Sequence, residues 1–153
     1  MGKEIERKYL ISGEAWKALG EGTLFRQGYL NSQKERVVRA RTMGEKAALT
    51  IKGITVGATR LEFEYEIPFA DAEQLLELCE QPLIEKTRYK FDHAGLTWEI
   101  DEFHGVNDGL IIAECELESE DQHIDKPDWV GDEVTGDPRY YNSNLIANPY
   151  STW

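Results

Sequence analysis

The segment MGKEIERKYL, residues 1–10, sets the pattern on which the fold prediction rests. Glu4, Glu6 and Lys8 occupy alternate positions in it. Because successive side chains of a β-strand project to opposite faces, these three charged groups would lie together on one face of a strand. Two carboxylates and one ammonium on one face suit a divalent cation with an anion beside it. For this segment alone, a solvated strand face with a surface ion pair is the alternative interpretation.

Similar strand patterns recur along the chain, and they predict seven further strands. These are residues 24–31, 36–42, 47–52, 60–68, 84–91, 96–103 and 110–118. The clearest is 60–68, in which Arg60, Glu62, Glu64 and Glu66 alternate with four apolar residues. Each strand is therefore expected to have one polar face and one face that needs cover.

Helical segments interrupt the strands. One helix is expected after Ser12 as N-cap, stopping at Gly20 or Gly22. A second begins at Asp71, with Gln74 at the capping-box position, and ends before Pro82. A helical turn is predicted from Pro127 through Val130, and a short terminal helix over residues 139–147. The apolar side chains expected to cover the sheet are Trp16, Leu19, Leu75, Leu76 and Leu78.

Eight strands separated by turns predict an α+β, mainly β, fold: an eight-stranded antiparallel closed barrel, or tunnel, with a few covering helices. Residues 1–153 are expected to form a single domain. An open sheet with its charged face in water is the competing architecture. A porin-like membrane barrel shares the polar interior, but the charged N-terminal segment is unlike a signal peptide.

The predicted interior carries seven acids and seven bases. The acids are Glu4, Glu6, Glu62, Glu64, Asp101, Glu114 and Glu116, and the bases are Lys8, Arg39, Arg41, Lys52, Arg60, Lys86 and Arg88. Surface ion pairs contribute only about 0–1 kcal/mol each, and burying so many charges without a ligand is costly. Carboxylate oxygens suit Mg²⁺ or Mn²⁺, and Arg and Lys suit phosphate oxygens. The interior thus predicts a polyanion bound together with metal.

Composition limits the partners. The net charge of −12 argues against nucleic acid and against an anionic membrane surface. Cys79 and Cys115 lie among apolar neighbours, as reduced core thiols of a cytoplasmic protein do. His93, His104 and His123 lack metal-ligand spacing, and the chain contains no glycine-rich phosphate loop. Assembly as a homodimer is compatible with the sequence.

Taken in order, the charged strands resemble the CYTH superfamily, the triphosphate tunnel metalloenzymes. The motif ExExK stands at residues 4–8, and the resemblance extends over about the first 120 residues and, less specifically, over the tail around Tyr140 to Leu145. The further matching motifs are Gln27-Gly28-Tyr29-Leu30, Arg39-Ala40-Arg41, Thr50-Ile51-Lys52-Gly53, Arg60 with Glu62 and Glu64, Lys86-Thr87-Arg88-Tyr89, Asp101, and Glu114-Cys115-Glu116-Leu117. ExExK alone is a weak signal, whereas the ordered set is specific.

The resemblance implies a tunnel that binds a triphosphate and requires a divalent metal, Mg²⁺ or Mn²⁺, with two ions expected. It implies Glu4, Glu6, Glu114 and Glu116 as metal ligands, with Glu62, Glu64 and Asp101 assisting a second ion or its water. It implies phosphate binding by Lys8, Arg39, Arg41, Lys52, Arg60, Lys86 and Arg88, and Tyr29 joins this substrate-binding set. The expected catalytic set is Glu4, Glu6, Lys8, Glu62, Glu64 and Asp101.

The function expected from this set is metal-dependent hydrolysis of inorganic triphosphate to pyrophosphate and phosphate. No appended segment offers recognition of an organic group, which favours the inorganic substrate. The alternatives are an adenylate cyclase of the CYTH type, a thiamine or nucleoside triphosphatase, and a polyphosphate-binding module without activity. Retention of all seven acids speaks against the last.

Overall fold

The computed structural model describes residues 2–153, so Met1, placed by prediction in the first strand, lies outside the described residues. Within this range the chain forms nine strands and two short α-helices. The strands are β1 (Lys3–Ile11), β2 (Gly22–Asn31), β3 (Val37–Met43), β4 (Lys46–Lys52), β5 (Thr59–Glu66), β6 (Ile84–His93), β7 (Leu96–Phe103), β8 (Ile111–Glu116) and β9 (Val130–Glu133). The helices are α1 (Phe69–Leu78) and α2 (Asn144–Ala147).

The first eight strands close into a barrel. Their order is β5-β4-β3-β2-β6-β7-β8-β1, and every neighbouring pair is antiparallel. Closure comes from a second edge of β1, where Glu4 lies opposite Arg60 of β5. The eight-stranded antiparallel closed barrel predicted from the sequence is therefore confirmed.

The ninth strand was not predicted. A helical turn was expected over residues 127–130; a hydrogen-bonded turn is present there, and only its last residue is wrong, since Val130 begins β9. Val130 N–H donates to the Pro127 carbonyl in a single turn, and the chain then extends into β9. β9 pairs with the second half of β1, with Tyr9 opposite Glu133. β9 thus pairs along the same edge of β1 as β5 does, with residues that come later in β1.

The predicted terminal helix over 139–147 is also wrong as one element. A 3₁₀ turn covers Pro138–Tyr140, with the Asp137 side chain accepting from the Arg139 N–H, and α2 follows separately. Tyr141 between them is extended, with φ −70° and ψ 129°, so the helical hydrogen bonds are interrupted there. This break turns the tail back toward the barrel.

The first predicted helix is a 3₁₀ helix, Ala15–Leu19. Ser12 is not its N-cap; its hydroxyl donates instead to the Trp129 carbonyl at 3.3 Å. Trp16 is fully buried, whereas Leu19 is exposed. Only Trp16 therefore provides the cover that was expected of both residues.

α1 begins at Phe69, two residues before the predicted start, and Asp71 lies in its first turn without a side-chain cap. Leu76 and Cys79 pack on Ala40 of β3, but Leu78 is 73% exposed and covers nothing. The helix lies very close to β2. A Cβ at Gly28 would come within 2.6 Å of the Cys79 Cβ, so only glycine allows this approach.

A cluster of aromatic and aliphatic side chains packs outside the barrel wall. Trp16 and Trp98 are fully buried there, and the Tyr9 and Trp98 rings lie 5.8 Å apart. The other buried members are Leu96, Ile100, Ala113 and Cys115. Because these residues alternate with the charged ones on β1, β7 and β8, burying one face of each strand turns the charged face inward.

The charged interior ends at an apolar floor. Ile84, Phe103 and Ile112 share the inward phase of their strands with the charged residues, yet they pack with Tyr140 and Leu145 of the tail. Leu110 completes this buried cluster, and Leu10 packs against it from β1. The segment from residue 134 to 146 therefore closes one end of the barrel with apolar contacts.

Removing the floor contact at Leu145 should destabilise the fold. Leu145 is fully buried, and Leu145→Ala leaves a cavity that we expect to lower the free energy of unfolding by about 2–5 kcal/mol. Chemical denaturation measures this change. Leu78→Ala is the matched control, since that side chain is largely exposed and should change stability by less than about 0.5 kcal/mol. Equal effects of the two variants would contradict the described packing of the tail.

Candidate functional site

A cavity of about 450 Å³ occupies the barrel above this floor. Every site residue predicted from the sequence lines it except Asp101, which is buried on the inward face of β7 beneath Lys86 and Arg88. The lining members of that set are Glu4, Glu6, Lys8, Tyr29, Arg39, Arg41, Lys52, Arg60, Glu62, Glu64, Lys86, Arg88, Glu114 and Glu116. The fold thus brings together side chains that lie on seven strands.

Residues outside the set predicted from the sequence also line the cavity. Glu99 and Lys90 line it, and both follow the inward phase of β7 and β6, so strand alternation alone would have found them. Glu21 lines it just before β2. Tyr141 and Asn142 of the tail line it too, and no periodic pattern in the sequence points to them.

Asp101 is surrounded by cationic donors. Its Oδ1 accepts from Arg88 Nε at 2.7 Å, and its Oδ2 accepts from Arg88 Nη2 at 2.8 Å and from Lys86 Nζ at 2.7 Å. Burial would raise the pKa of this carboxyl, but Arg88 and Lys86 hold it well below its ordinary value. Both oxygens are occupied, so Asp101 fixes the positions of Arg88 and Lys86.

Arg39 and Arg41 show the opposite condition, an excess of donors. Both are 7% exposed, and within residues 2–153 their Nε atoms are buried without a hydrogen-bond partner. Glu64 lies 3.5 Å from Arg41 and 3.7 Å from Arg39, with its side chain 42% exposed. A buried donor without an acceptor is costly, and an anion in the cavity would supply acceptors.

Arg41 lies in a crowded positive region. Burial, with the nearby guanidinium groups of Arg39 and Arg88, lowers the pKa of Arg41 to about 9. The Arg41 and Arg88 guanidinium carbons lie 4.8 Å and 4.9 Å from the centre of the Phe25 ring, which holds both groups by cation–π contact. Three cations held this close together suit a multiply charged anion.

Carboxylates dominate the part of the cavity formed by β1, β5 and β8. Lys52 Nζ lies 3.3 Å from Glu4 and 3.1 Å from Glu62. Burial would raise the pKa of Glu4, but Lys52 and a contact with Glu62 lower it to about 2. Burial, with the adjacent Glu4, raises the pKa of Glu62 to about 7. One lysine therefore does not balance this pair of carboxyl groups.

The negative charge of Glu6 is compensated still less than the charges of Glu4 and Glu62. Its side chain makes no ion pair or hydrogen bond with any residue in the range 2–153. Burial, followed by the charges of Glu114 and Glu4, raises the pKa of Glu6 well above its ordinary value. Glu116 lies directly opposite Glu6 across the β1–β8 ladder, and Lys8 lies 3.8 Å from Glu114. Added positive charge here would relieve the carboxylates.

The carboxylates are arranged as pairs across strands and do not form a closed ligand cage. Among residues 2–153, no three His, Cys, Asp or Glu side chains converge closely enough to hold a metal ion by themselves. A cation in the cavity would therefore have to take other oxygen ligands, such as water or phosphate.

Over the same residues, no helix has the length and apolar character needed to cross a membrane.

Two relatives of similar length match the whole chain. A protein of Acetivibrio thermocellus named inorganic triphosphatase is 56% identical, over 100% of this chain and 99% of the relative. A protein of Nitrosomonas europaea with the same name is 36% identical, over 95% of this chain and 97% of the relative. Identity at this level over full length extends well beyond the ExExK motif.

Comparison of folds gives the same result. The crystal structure of an inorganic triphosphatase superposes with a TM-score of 0.64 at 34% identity, covering 94% of this chain and 93% of that one. The CYTH domain family matches residues 2–145, which include all the strands and the first half of α2. The chain belongs to the CYTH family.

Proposed function

We propose that this protein hydrolyses inorganic triphosphate to pyrophosphate and phosphate inside the barrel. The observation that carries the proposal is one cavity that holds buried arginine donors without acceptors and a group of carboxylates with fewer cations than negative charges. The two relatives named inorganic triphosphatase support the choice of substrate. A linear phosphate chain offers acceptors at several places along its length, as the separated bases require.

The bases bind and orient the phosphate chain. Arg39 and Arg41 supply unpaired Nε donors, and Asp101 holds the Arg88 guanidinium in a fixed orientation by two hydrogen bonds. Lys8, Lys52, Arg60 and Lys86 complete the proposed substrate-binding set with Tyr29. Positioning and neutralising charge are the main needs of phosphoryl transfer, and such fixed groups meet both.

Membership of the CYTH family implies dependence on a divalent metal, and the donor set fits one. Glu4, Glu6, Glu114 and Glu116 would hold it, since Mg²⁺ and Mn²⁺ prefer oxygen ligands and the pKa of Glu6 indicates a local lack of positive charge. We propose two ions, with Glu62 and Glu64 assisting the second. When bound, such ions neutralise phosphate charge and lower the pKa of water.

The chain's own residues then act by orientation. In the proposed reaction a water oxygen bonds to a terminal phosphorus and the bridging P–O bond breaks. The electron pair of that bond leaves with pyrophosphate, and the water gives up a proton to bulk solvent. Lys8 lies among the carboxylates of Glu4, Glu6 and Glu114, where its ammonium can stabilise negative charge on the reacting oxygens. For Asp101, whose oxygens are occupied, we propose positioning of Arg88 and Lys86 in place of metal binding.

We further infer a cytoplasmic protein of one domain, residues 1–153. The buried free thiols of Cys79 and Cys115 support a reducing compartment. The tail supports one domain, because Tyr140 and Leu145 pack into the barrel floor. The net charge of −12 disfavours nucleic acid and anionic membranes as partners.

We also propose a homodimer through the outer face of β4 and β5. Ile51, Leu61, Phe63 and Tyr65 are 40%, 52%, 44% and 57% exposed, and Ile51 lies opposite Phe63 in the ladder. With roughly 200 Å² per full side chain, these fractions leave about 400 Å² of apolar surface in water. A second copy offers the same uncharged face, so a two-fold pairing would bury it without opposing charges.

The substrate assignment predicts a ranking. With excess Mg²⁺ or Mn²⁺, kcat/KM for tripolyphosphate should exceed that for pyrophosphate and for ATP by about tenfold or more, because pyrophosphate reaches fewer bases and adenosine must remain outside the charged cavity. Phosphate release measures all three, and excess EDTA should abolish it. Arg41→Ala, purified in parallel, excludes a contaminating hydrolase. A value for ATP equal to that for tripolyphosphate would favour a nucleotide enzyme, and full turnover in EDTA would refute the metal.

Glu6→Gln should separate stability from activity. The folded-state pKa of Glu6 lies above its ordinary 4.5, so the stability contributed by this group falls as pH rises through that folded-state value. In EDTA at pH 7.5 the variant should melt higher by roughly 2–4 °C, and the gain should shrink near pH 4.5. Activity with metal should fall at least about tenfold.

The control for Glu6→Gln is Glu66→Gln, since Glu66 is exposed at the end of β5. That variant should leave both the melting temperature and the activity unchanged. A Glu6→Gln protein that melts lower than the wild type in EDTA would show that Glu6 is a structural ion-pair member. Normal activity of the same variant would remove it from the proposed metal ligands.

The dimer predicts a mass in solution near twice 17.5 kDa by light scattering. Phe63→Glu should give a monomer, because a dimer through this face would bring two carboxylates into an apolar interface. Leu78→Glu is the control, since Leu78 is exposed on α1, away from this face. A wild-type monomer at about 100 µM would refute the proposal, as would a Phe63→Glu dimer.

A further inference from the structure

Asn142 connects the tail to the deepest charged residues of the cavity. It follows the extended Tyr141 and lines the cavity wall. Its Oδ1 accepts from Lys86 Nζ at 2.9 Å and from Gln27 Nε2 at 3.2 Å. Lys86 and Gln27 are 1% and 0% exposed, so these contacts are made away from bulk water.

The Lys86 ammonium fixes the orientation of the side-chain amides of Asn142 and Gln27. An ammonium donates and cannot accept, so Asn142 must turn its oxygen toward Lys86. That oxygen also faces Gln27, so Gln27 must present its NH₂ group. The donor and acceptor roles along these contacts are therefore fixed: Lys86 donates to Asp101 and to Asn142, and Gln27 donates to Asn142.

The same reasoning fixes the role of Tyr29. Gln27 Nε2 also donates to the Tyr29 hydroxyl oxygen, at 3.2 Å. Since the Gln27 NH₂ cannot accept, the Tyr29 O–H hydrogen must point elsewhere, and the ring lines the cavity. Among residues 2–153 no side chain or backbone oxygen accepts from this hydroxyl. The hydrogen is thus free for an acceptor inside the cavity.

We propose that Asn142 is a positioning residue for the hydrolysis of triphosphate: its side-chain oxygen fixes Lys86 and Gln27 at the bottom of the cavity and, through Gln27, directs the Tyr29 hydroxyl hydrogen toward the phosphate chain. The inference rests on the proposed function. Asn142 does not itself bind the substrate in this role. It orders two groups that would bind the substrate, Lys86 and Tyr29. It does so from a segment that is not paired with a strand.

The role predicts a particular kinetic pattern. Asn142→Ala removes the shared acceptor while the other bases still bind the anion, so kcat should fall about tenfold and KM should stay within about twofold. Asn142→Asp keeps an oxygen for Lys86 and Gln27 but adds negative charge beside the anion. It should retain kcat within about threefold and raise KM severalfold. A purely structural residue would not divide the two parameters in this way.

Asn144→Ala is the matched control. Asn144 lies in the same tail, is exposed, and donates to the Pro138 carbonyl outside the cavity. Its replacement should leave kcat and KM within about twofold of the wild type. Equal kinetics of Asn142→Ala and Asn144→Ala would overturn the proposal. So would a loss of activity in Asn142→Ala that is fully explained by the fraction of this variant unfolded at the assay temperature.

The route through Tyr29 is tested by combining variants. If Asn142 acts through the Tyr29 hydroxyl, Asn142→Ala and Tyr29→Phe should be less than additive in kcat, since each removes the same oriented hydrogen. Full additivity would overturn that route. A crystal structure of Asn142→Ala should show Lys86, Gln27 or Tyr29 displaced; unchanged side chains would overturn the role whatever the activity. If the wild type fails to hydrolyse tripolyphosphate, the proposed function fails, and this structure still decides the positioning of the three side chains.

Discussion

The pairing of β1 with β5 is the contact on which the rest of the structure depends. Within residues 2–153, three residue pairs form this ladder, with Lys3, Glu4 and Ile5 opposite residues of β5. Without it the eight strands would form an open sheet whose charged face meets water. Closure takes that face out of bulk solvent, and the strength of every charge interaction on it then rises.

Hydrogen bonds outside the barrel support the short β1–β5 ladder. The Glu120 carboxylate accepts from the Ala58 N–H and from the Thr59 hydroxyl, both at 2.9 Å, and the Glu120 carbonyl accepts from Arg7 at 2.8 Å. The segment after β8 is thereby tied both to the start of β5 and to β1. These polar contacts thus support the closure of the barrel where the β1–β5 ladder is short.

The alternation of charged and apolar residues made the barrel and most of its lining predictable from the sequence. Glu99 could have been included by the same argument, because it shares the phase of Asp101. Partner geometry could not be predicted: Asp101 is in phase with the lining residues, yet its oxygens are occupied by Arg88 and Lys86. Asn142 and β9 were missed because long-range contacts define them, and their local sequence carries no period.

The apolar floor has a consequence for the order of events. With Leu145 and Tyr140 closing one end of the lumen, material that enters must leave by the way it came. A linear molecule cut inside gives one fragment next to the floor and one next to the mouth. The outer fragment lies nearer the mouth, so this shape favours its departure before that of the inner fragment.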